Sequence, residues 1–300
     1  MNEAVSNHWD AWQEGRDSSP HIYVDWGDHP TILKHLFQTT FGSPDIDFFQ
    51  YFKNSHPDFS EKSVLSLCCG DGGFEKALLE REVFAHITGL DISESRVQAA
   101  LASRGKHANQ LDFVVGDVNA ANFGLNAFDI VFAKAALHHV ENLEGLMQGI
   151  ARCLRPGGLL VTIDFFGPSR FQWTDAQLAA TNWFLKERVP PALRLRRDGT
   201  TYEAAVRPTL AEMIAMDPSE AVRSGELDAI LRAHFDFCVD LPLGGTLLNL
   251  IFYGDVTNNF NADNPEHNRI IEEAFELERS LINKGEIGSD FRLLIANLRV

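Results

Sequence analysis

The chain has 300 residues, 45% of them hydrophobic and 23% charged, with a formal net charge of −16 and only four cysteines. This composition excludes a disordered chain and a disulfide-built scaffold, and the charge opposes binding to nucleic-acid phosphates or an anionic lipid surface. No repeat or low-complexity tract is present, so the length fits one large α/β domain with insertions or two modest domains.

The first residues lack the basic patch and apolar stretch of a secretion signal. The most apolar window of the second half, residues 246–253, is far shorter than the ~20 residues that span a bilayer. A cytoplasmic protein without stable membrane insertion is expected, and the sequence leaves open whether it forms a homo-oligomer. Residues 1–62 are rich in aromatics (Trp9, Trp12, Tyr23, Trp26, Phe37, Phe41, Phe48, Phe49) and predict a helical lid. From Ser63 onward, short apolar runs alternate with helix-period segments, the pattern of βαβ units and a parallel sheet. Strands are expected at 64–68, 85–90, 112–115, 129–133 and 159–163. Phe74, Ala77 and Leu78 mark one helix face, and Ser93 is an N-cap candidate for a helix reaching about Arg104. Leu143, Leu146, Met147, Ile150 and Leu154 repeat at 3-4-3-4 spacing, stopped by Pro156-Gly157-Gly158.

After the fifth strand the alternation breaks. Thr174 with Gln177, and Thr209 with Glu212, form capping boxes that open new helices, the first inside a hydrophobic staple of Trp173 and Leu178. The expected division is a helical lid (1–62), a cofactor-binding core (63–166), an inserted helical cap (167–225) and a C-terminal part of the sheet (226–300), with strands at 235–241 and 291–298.

Leu67-Cys68-Cys69-Gly70-Asp71-Gly72-Gly73 raises the question of metal or thiol chemistry. A structural zinc site needs about four ligands, usually in C-x-x-C or H-x-x-x-H pairs. Cys153 and Cys238 have no such partners, and no metal site is expected. A glycine turn from strand to helix, where a ligand approaches the backbone, fits better. The nicotinamide fingerprint G-x-G-x-x-G fails, since its third glycine falls on Glu75. Asp91 follows Gly72 by 19 residues and ends the second strand, suited to accept hydrogen bonds from a ribose.

Residues 64–72 (Val-Leu-Ser-Leu-Cys-Cys-Gly-Asp-Gly), 87–93 (Ile-Thr-Gly-Leu-Asp-Ile-Ser), 115–119 (Val-Gly-Asp-Val-Asn), 128–140 (Phe-Asp-Ile-Val-Phe-Ala-Lys-Ala-Ala-Leu-His-His-Val) and 154–160 (Leu-Arg-Pro-Gly-Gly-Leu-Leu) resemble, in order and at the usual spacing, the motifs of the class I S-adenosylmethionine-dependent methyltransferases. The resemblance implies a Rossmann-like, seven-stranded, mostly parallel sheet that ends in an antiparallel hairpin. It implies S-adenosyl-L-methionine as cofactor, with Cys68, Gly70, Asp71 and Gly72 at the methionyl turn and Asp91 and Ile92 at the ribose. Asp117 and Val118 would meet the adenine, and Ala133 and Lys134 the methionyl tail. The chain departs from the family twice: Cys68 stands at its first glycine, and Ser66 at the acid two residues earlier.

If the acceptor is a hydroxyl, a general base assists loss of its proton, a task that suits imidazole. His138 and His139 follow the fourth strand, and Asp164 ends the fifth; both lie at the carboxyl edge where such sheets bind ligands. Polar-aromatic clusters at 25–30, 167–173, 217–224 and 244–248 are acceptor-site candidates, with Trp26, Asp28, His29, Arg170, Trp173 and Arg223 suited to a polar ring such as a sugar or an aromatic metabolite. They look similar to a bacterial small-molecule subgroup of the family. Arg194, Arg196 and Arg197 could meet an anionic group or form a solvated face. The expected function is methyl transfer to a small molecule, at oxygen; the alternatives are a silent cofactor-binding module, a nicotinamide-dependent oxidoreductase, and a lipid or nitrogen acceptor.

Overall fold

In the computed structural model, which describes residues 2–16, 23, 25–120 and 122–299, three helices precede the sheet: α1 (Glu3–Arg16), α2 (Pro30–Phe41) and α3 (Phe48–Ser55). The core alternates β1 (Ser63–Leu67), α4 (Gly73–Glu80), β2 (His86–Asp91), α5 (Glu94–Ser103), β3 (Leu111–Val115), β4 (Phe128–Lys134), α6 (Leu143–Cys153) and β5 (Leu154–Phe165). There follow α7 (Asp175–Arg188), α8 (Leu210–Met216), α9 (Leu227–His234), β6 (Phe235–Gly244), α10 (Leu248–Ile251), α11 (Pro265–Asn283) and β7 (Phe291–Leu298). The sheet has the order β3-β2-β1-β4-β5-β7-β6, and only the two pairs that involve β7 are antiparallel.

Central β1 is apolar on both sides because helices cover both faces of the sheet. Val64 enters one hydrophobic cluster with α4 and α5, while Leu65 and Leu67 enter a second built on the Leu143, Leu146, Met147 and Ile150 face of α6. Ser93 caps α5, and the expected capping boxes of Thr174 with Gln177 and Thr209 with Glu212 open α7 and α8. Strand 5 begins earlier than the sequence suggests. It starts at Leu154, directly after α6, and a register shift against β4 accommodates Pro156-Gly157-Gly158 within the strand. β6 likewise continues beyond residue 241, through Pro242, to Gly244; at the sheet edge a missing N–H is tolerated.

The N-terminal helices divide in role. Phe52 of α3 packs edge-on against Phe132 of β4, and α2 lies by β6 and α11, so both cover a sheet face. Only α1 crosses the carboxyl edge, where it contacts α5. Among the described residues no helix is long and apolar enough to cross a membrane.

Candidate active site

The turn after β1 is built to let something approach its backbone. Gly70 and Gly72 have φ of 59° and 73°, and a Cβ would clash with the Arg96 guanidinium at Gly70 and with the Phe113 ring at Gly72. Cys68 also has positive φ, 51°, the left-handed region disfavoured for residues with a Cβ. Its backbone thus adopts a conformation that glycine takes more readily. Asp91 ties the turn to β2: one carboxylate oxygen accepts from Gly70 N–H at 2.8 Å, the other from Ser93 N–H at 3.0 Å. A carboxylate has about four lone-pair directions, so acceptor capacity remains for a diol. Asp117 accepts from Asn119 N–H and from Asn2 N–H, and Ser6 Oγ donates to the carbonyl of Ile92. Val118 and Ala133 are buried, Asp71 accepts from Gly73 N–H, and the Lys134 ammonium sits 5.0 Å over the Phe74 ring. A glycine turn packed against Arg96 and Phe113, an acid at each of the next two strand ends and a buried Glu75 oxygen without a hydrogen-bond partner among the described residues fit an adenosyl amino acid.

The adjacent cysteines are not a reactive pair. Burial and the Asp91 carboxylate raise the Cys68 thiol far above its ordinary value, and burial with Glu75 does the same to Cys69. Cys238 is exposed. A maleimide should therefore label Cys238 first and leave Cys68 and Cys69 unmodified until denaturant is added, as peptide mass mapping would record.

At the ends of β4 and β5 the two histidines part company. His138 Nδ1 lies 2.6 Å from Asp164 Oδ1, and its Nε2 lies 3.5 Å from Glu220 Oε1. Asp164 is fully enclosed and also accepts from the N–H groups of Ala136, Leu137 and Phe165. Burial opposes a charge on His138, but Asp164, with Glu220 and Asp217 behind it, outweighs burial and raises its pKa to about 9. His138 therefore rests protonated at neutral pH. His139 is the opposite case: burial and the neighbouring His138 cation, ring centroid to ring centroid 4.1 Å, push its pKa well down. Its Nδ1 is 3.2 Å from Ser219 Oγ, which in turn donates to Asp217 Oδ1 at 2.7 Å. With Ser219 acting as acceptor, the His139 proton belongs on Nδ1, which leaves the Nε2 lone pair available. Ligating atoms of His138, His139 and Glu220 lie within 4.8 Å of one another. A proton on His138, held between Asp164 and Glu220, accounts for this cluster.

The acceptor candidates read from sequence scatter. Trp26 is buried edge-on to Phe291, with no hydrogen-bond partner for its indole N–H among the described residues. Asp28 closes a capping box with Asp25. His29 is committed at both ring nitrogens, to Thr31 N–H and the Phe260 carbonyl, so it caps α2 rather than facing a ligand. Arg170 donates to the carbonyls of Pro218 and Glu220 and so positions the segment that carries Glu220. Trp173 is buried and stacked on Phe171. Arg223 is held by Glu144 and Glu226 at 2.7 Å, which removes it from acceptor binding. Of the basic cluster, Arg194 is buried on backbone carbonyls and Glu203, and Arg196 packs over Tyr202.

Sequence reasoning placed Asp217, Ser219 and Glu220 in an acceptor-site cluster without giving them a part in proton handling, listed Trp9 only among the aromatics of the lid, and did not single out His8 of α1. His8 Nε2 is 3.7 Å from Asp217, and the Trp9 ring stands edge-on to His139 at 5.4 Å. Only an unabsorbed acidic loop in a cap segment hinted at the first three.

Residues 65–162 match a family model described as a methyltransferase domain. The chain is 32% identical over 127 residues to a phthiotriol/phenolphthiotriol dimycocerosates methyltransferase of Mycobacterium ulcerans, covering 42% of this chain and 46% of that protein. It is 38% identical over 137 residues to a trans-aconitate 2-methyltransferase of an Acidovorax species, covering 45% and 48%. The chain thus spans under half the length of these curated relatives. A solved S-adenosylmethionine-dependent methyltransferase of Mesorhizobium loti aligns over 83% of this chain and 96% of its own, at 18% identity and a TM-score of 0.48.

Proposed function

We infer that this chain, which belongs through residues 65–162 to the class I S-adenosylmethionine-dependent methyltransferase family, transfers a methyl group to a hydroxyl oxygen of a small molecule such as a sugar or an aromatic metabolite. Gly70, Gly72, Asp91, Asp117 and the backbone near Ala133 would hold S-adenosyl-L-methionine, which supplies a methyl carbon activated by its sulfonium for in-line displacement. The remaining work falls to this chain: to orient the acceptor, exclude water and take its proton.

The assignment to oxygen rests on His139. It is neutral at neutral pH, its Nδ1 proton is fixed by Ser219 and Asp217, and its Nε2 lone pair can receive a proton from a hydroxyl. His138 is already protonated, so its role is a positive charge near the acceptor oxygen, held in place by Asp164 and Glu220. Burial raises the Glu220 carboxyl against the pull of His138, and the charges of Asp217, Asp164 and Asp25 add to the rise, so the surroundings are acid-rich. Such a wall accepts hydrogen bonds from hydroxyls and repels carboxylate acceptors.

A panel of sugars, phenols, aliphatic alcohols, carboxylic acids and amines tests this through release of S-adenosyl-L-homocysteine. Hydroxyl compounds should support release and carboxylates should not; release with amines alone would overturn the oxygen assignment, and release with none would leave a silent binding module. A lipid-borne hydroxyl is the second candidate. It draws support from an apolar recess of about 170 Å³ bounded by Phe171, Trp173, Tyr202, Met213 and Tyr253, two rings away from His138 through Phe165.

A further inference from the structure

Glu75 occupies an unusual place for a carboxyl group. It lies in the first turn of α4, three residues past Gly72, and is only 3% exposed. Its Oε1 accepts a 2.7 Å hydrogen bond from Ser66 Oγ on central β1, and its Oε2 has no hydrogen-bond partner among the described residues. Burying half a carboxylate without a partner costs free energy unless something later meets it. Nothing in local packing demands a glutamate here, since the same helix buries leucines at Leu78 and Leu79.

What should meet it follows from its surroundings. Ser66 pairs in register with Phe132 of β4, so Glu75 lies under the crossing of the glycine turn and the end of β4, where Ala133 and Lys134 stand. The charged and titratable groups that act on it are Lys134 from β4, Asp71 and Cys69 from the turn. Lys134 is turned onto the Phe74 ring. Ser66 also stands where the family carries an acid, and a serine cannot itself balance a cation.

We infer that Glu75, braced by Ser66, supplies the carboxylate that holds the α-ammonium group of the cofactor's amino-acid end, in place of the acid absent at Ser66. The acid has moved from strand to helix, and the serine passes its position across. This rests on the cofactor assignment above and adds a residue to it. Burial raises the Glu75 pKa to about 7, against the pull of Ser66. Near pH 7 the group is about half protonated before binding, and an arriving ammonium should expel that proton.

Titration calorimetry with two probes separates the possibilities: S-adenosyl-L-homocysteine, which carries the ammonium, and 5′-methylthioadenosine, which lacks the amino-acid end. Glu75→Gln should weaken the first about 10- to 100-fold, the range for a hydrogen bond to a charged group, and leave the second unchanged. Ser66→Asp in the Glu75→Gln background should restore most of the loss. In the unaltered protein, binding of S-adenosyl-L-homocysteine at pH 7, compared between buffers of different ionisation enthalpy, should release about half a proton; this measurement needs no variant to fold. Equal weakening of both probes, no weakening of either, or no proton release overturns the role of Glu75 alone. Failure of both probes to bind the unaltered protein overturns the cofactor assignment with it.

Discussion

Replacing His139 by alanine will lower turnover about 10²- to 10⁴-fold, the usual worth of a positioned base, and leave the affinity for S-adenosyl-L-homocysteine unchanged. The base must be neutral when the acceptor arrives, and of the two histidines only His139 is. His138, at about pKa 9, is protonated in nearly every molecule at pH 7. The pH profile separates them even without mutation. With His139 as base, kcat/KM should be flat from about pH 6.5 to 8 and fall only at lower pH, because its pKa is held well below the ordinary imidazole value by burial and by His138. With His138 as base, kcat/KM would instead climb tenfold per pH unit until about pH 9. A His139→Ala enzyme that keeps turnover within tenfold of the parent would sink the assignment.

Asp164→Asn should be the most damaging single substitution to the fold at the site, costing about 3–5 kcal/mol, the range for breaking a buried ion pair. Asp164 accepts from four backbone N–H groups as well as from the His138 ring, and is 1% exposed. Its loss also has a pH signature. The folded pKa of His138 is raised from 6.5 to about 9, so the stability it contributes is complete below about pH 6.5 and disappears as pH rises through 9. The shift corresponds to roughly 3 kcal/mol. Asp164 behaves oppositely: its carboxyl is held below 3.8, burial being outweighed by His138, so its contribution is present above that value and is lost as pH falls through the lowered one. Urea unfolding of the parent at about pH 6 and pH 9.5 should therefore show a fall in stability that Asp164→Asn lacks. Parallel falls in both proteins would mean that the His138 cation is not what Asp164 stabilises.

Much of the scaffold could be read from local pattern. Strands β1 to β4 announce themselves as short apolar runs between helices because their side chains are buried on both faces, and Asp91 ends β2 at the carboxyl edge of the sheet. The antiparallel β7 next to β5 could not be deduced from periodicity; it entered through the family resemblance. The β5 start was obscured because a bulge absorbs Pro156-Gly157-Gly158, a run that otherwise signals a turn. The chemical centre was half legible. His138, His139 and Asp164 sit at predictable strand ends, and their protonation states are set mainly by burial and by one another; the smaller contributions of Glu220, Ser219 and Asp217 come from some 80 residues away, in a connection with no periodicity. Arg223 and His29 looked like ligand contacts for the same reason that they are not: a polar side chain among aromatics is equally well a cap or a surface ion pair, and here each is fully used by its neighbours.

Helix α1 is fastened across the carboxyl ends of β2 and β3 at four points. Asn2 N–H reaches Asp117, Ser6 reaches Ile92, Asp10 reaches Ser93 and Ser95, and Trp9 with Trp12 clasps the Arg96 guanidinium that covers Gly70. Asn2 holds the same carboxylate that an adenine amino group would need. If the cofactor's adenine meets Asp117 as proposed, it can enter or depart only while this clasp is undone, and turnover would acquire a mechanical step of its own. If unlatching is slower than bond making, turnover measures how often a helix lets go, and weakening the Asp10 anchor would speed the enzyme while loosening its grip on both nucleosides.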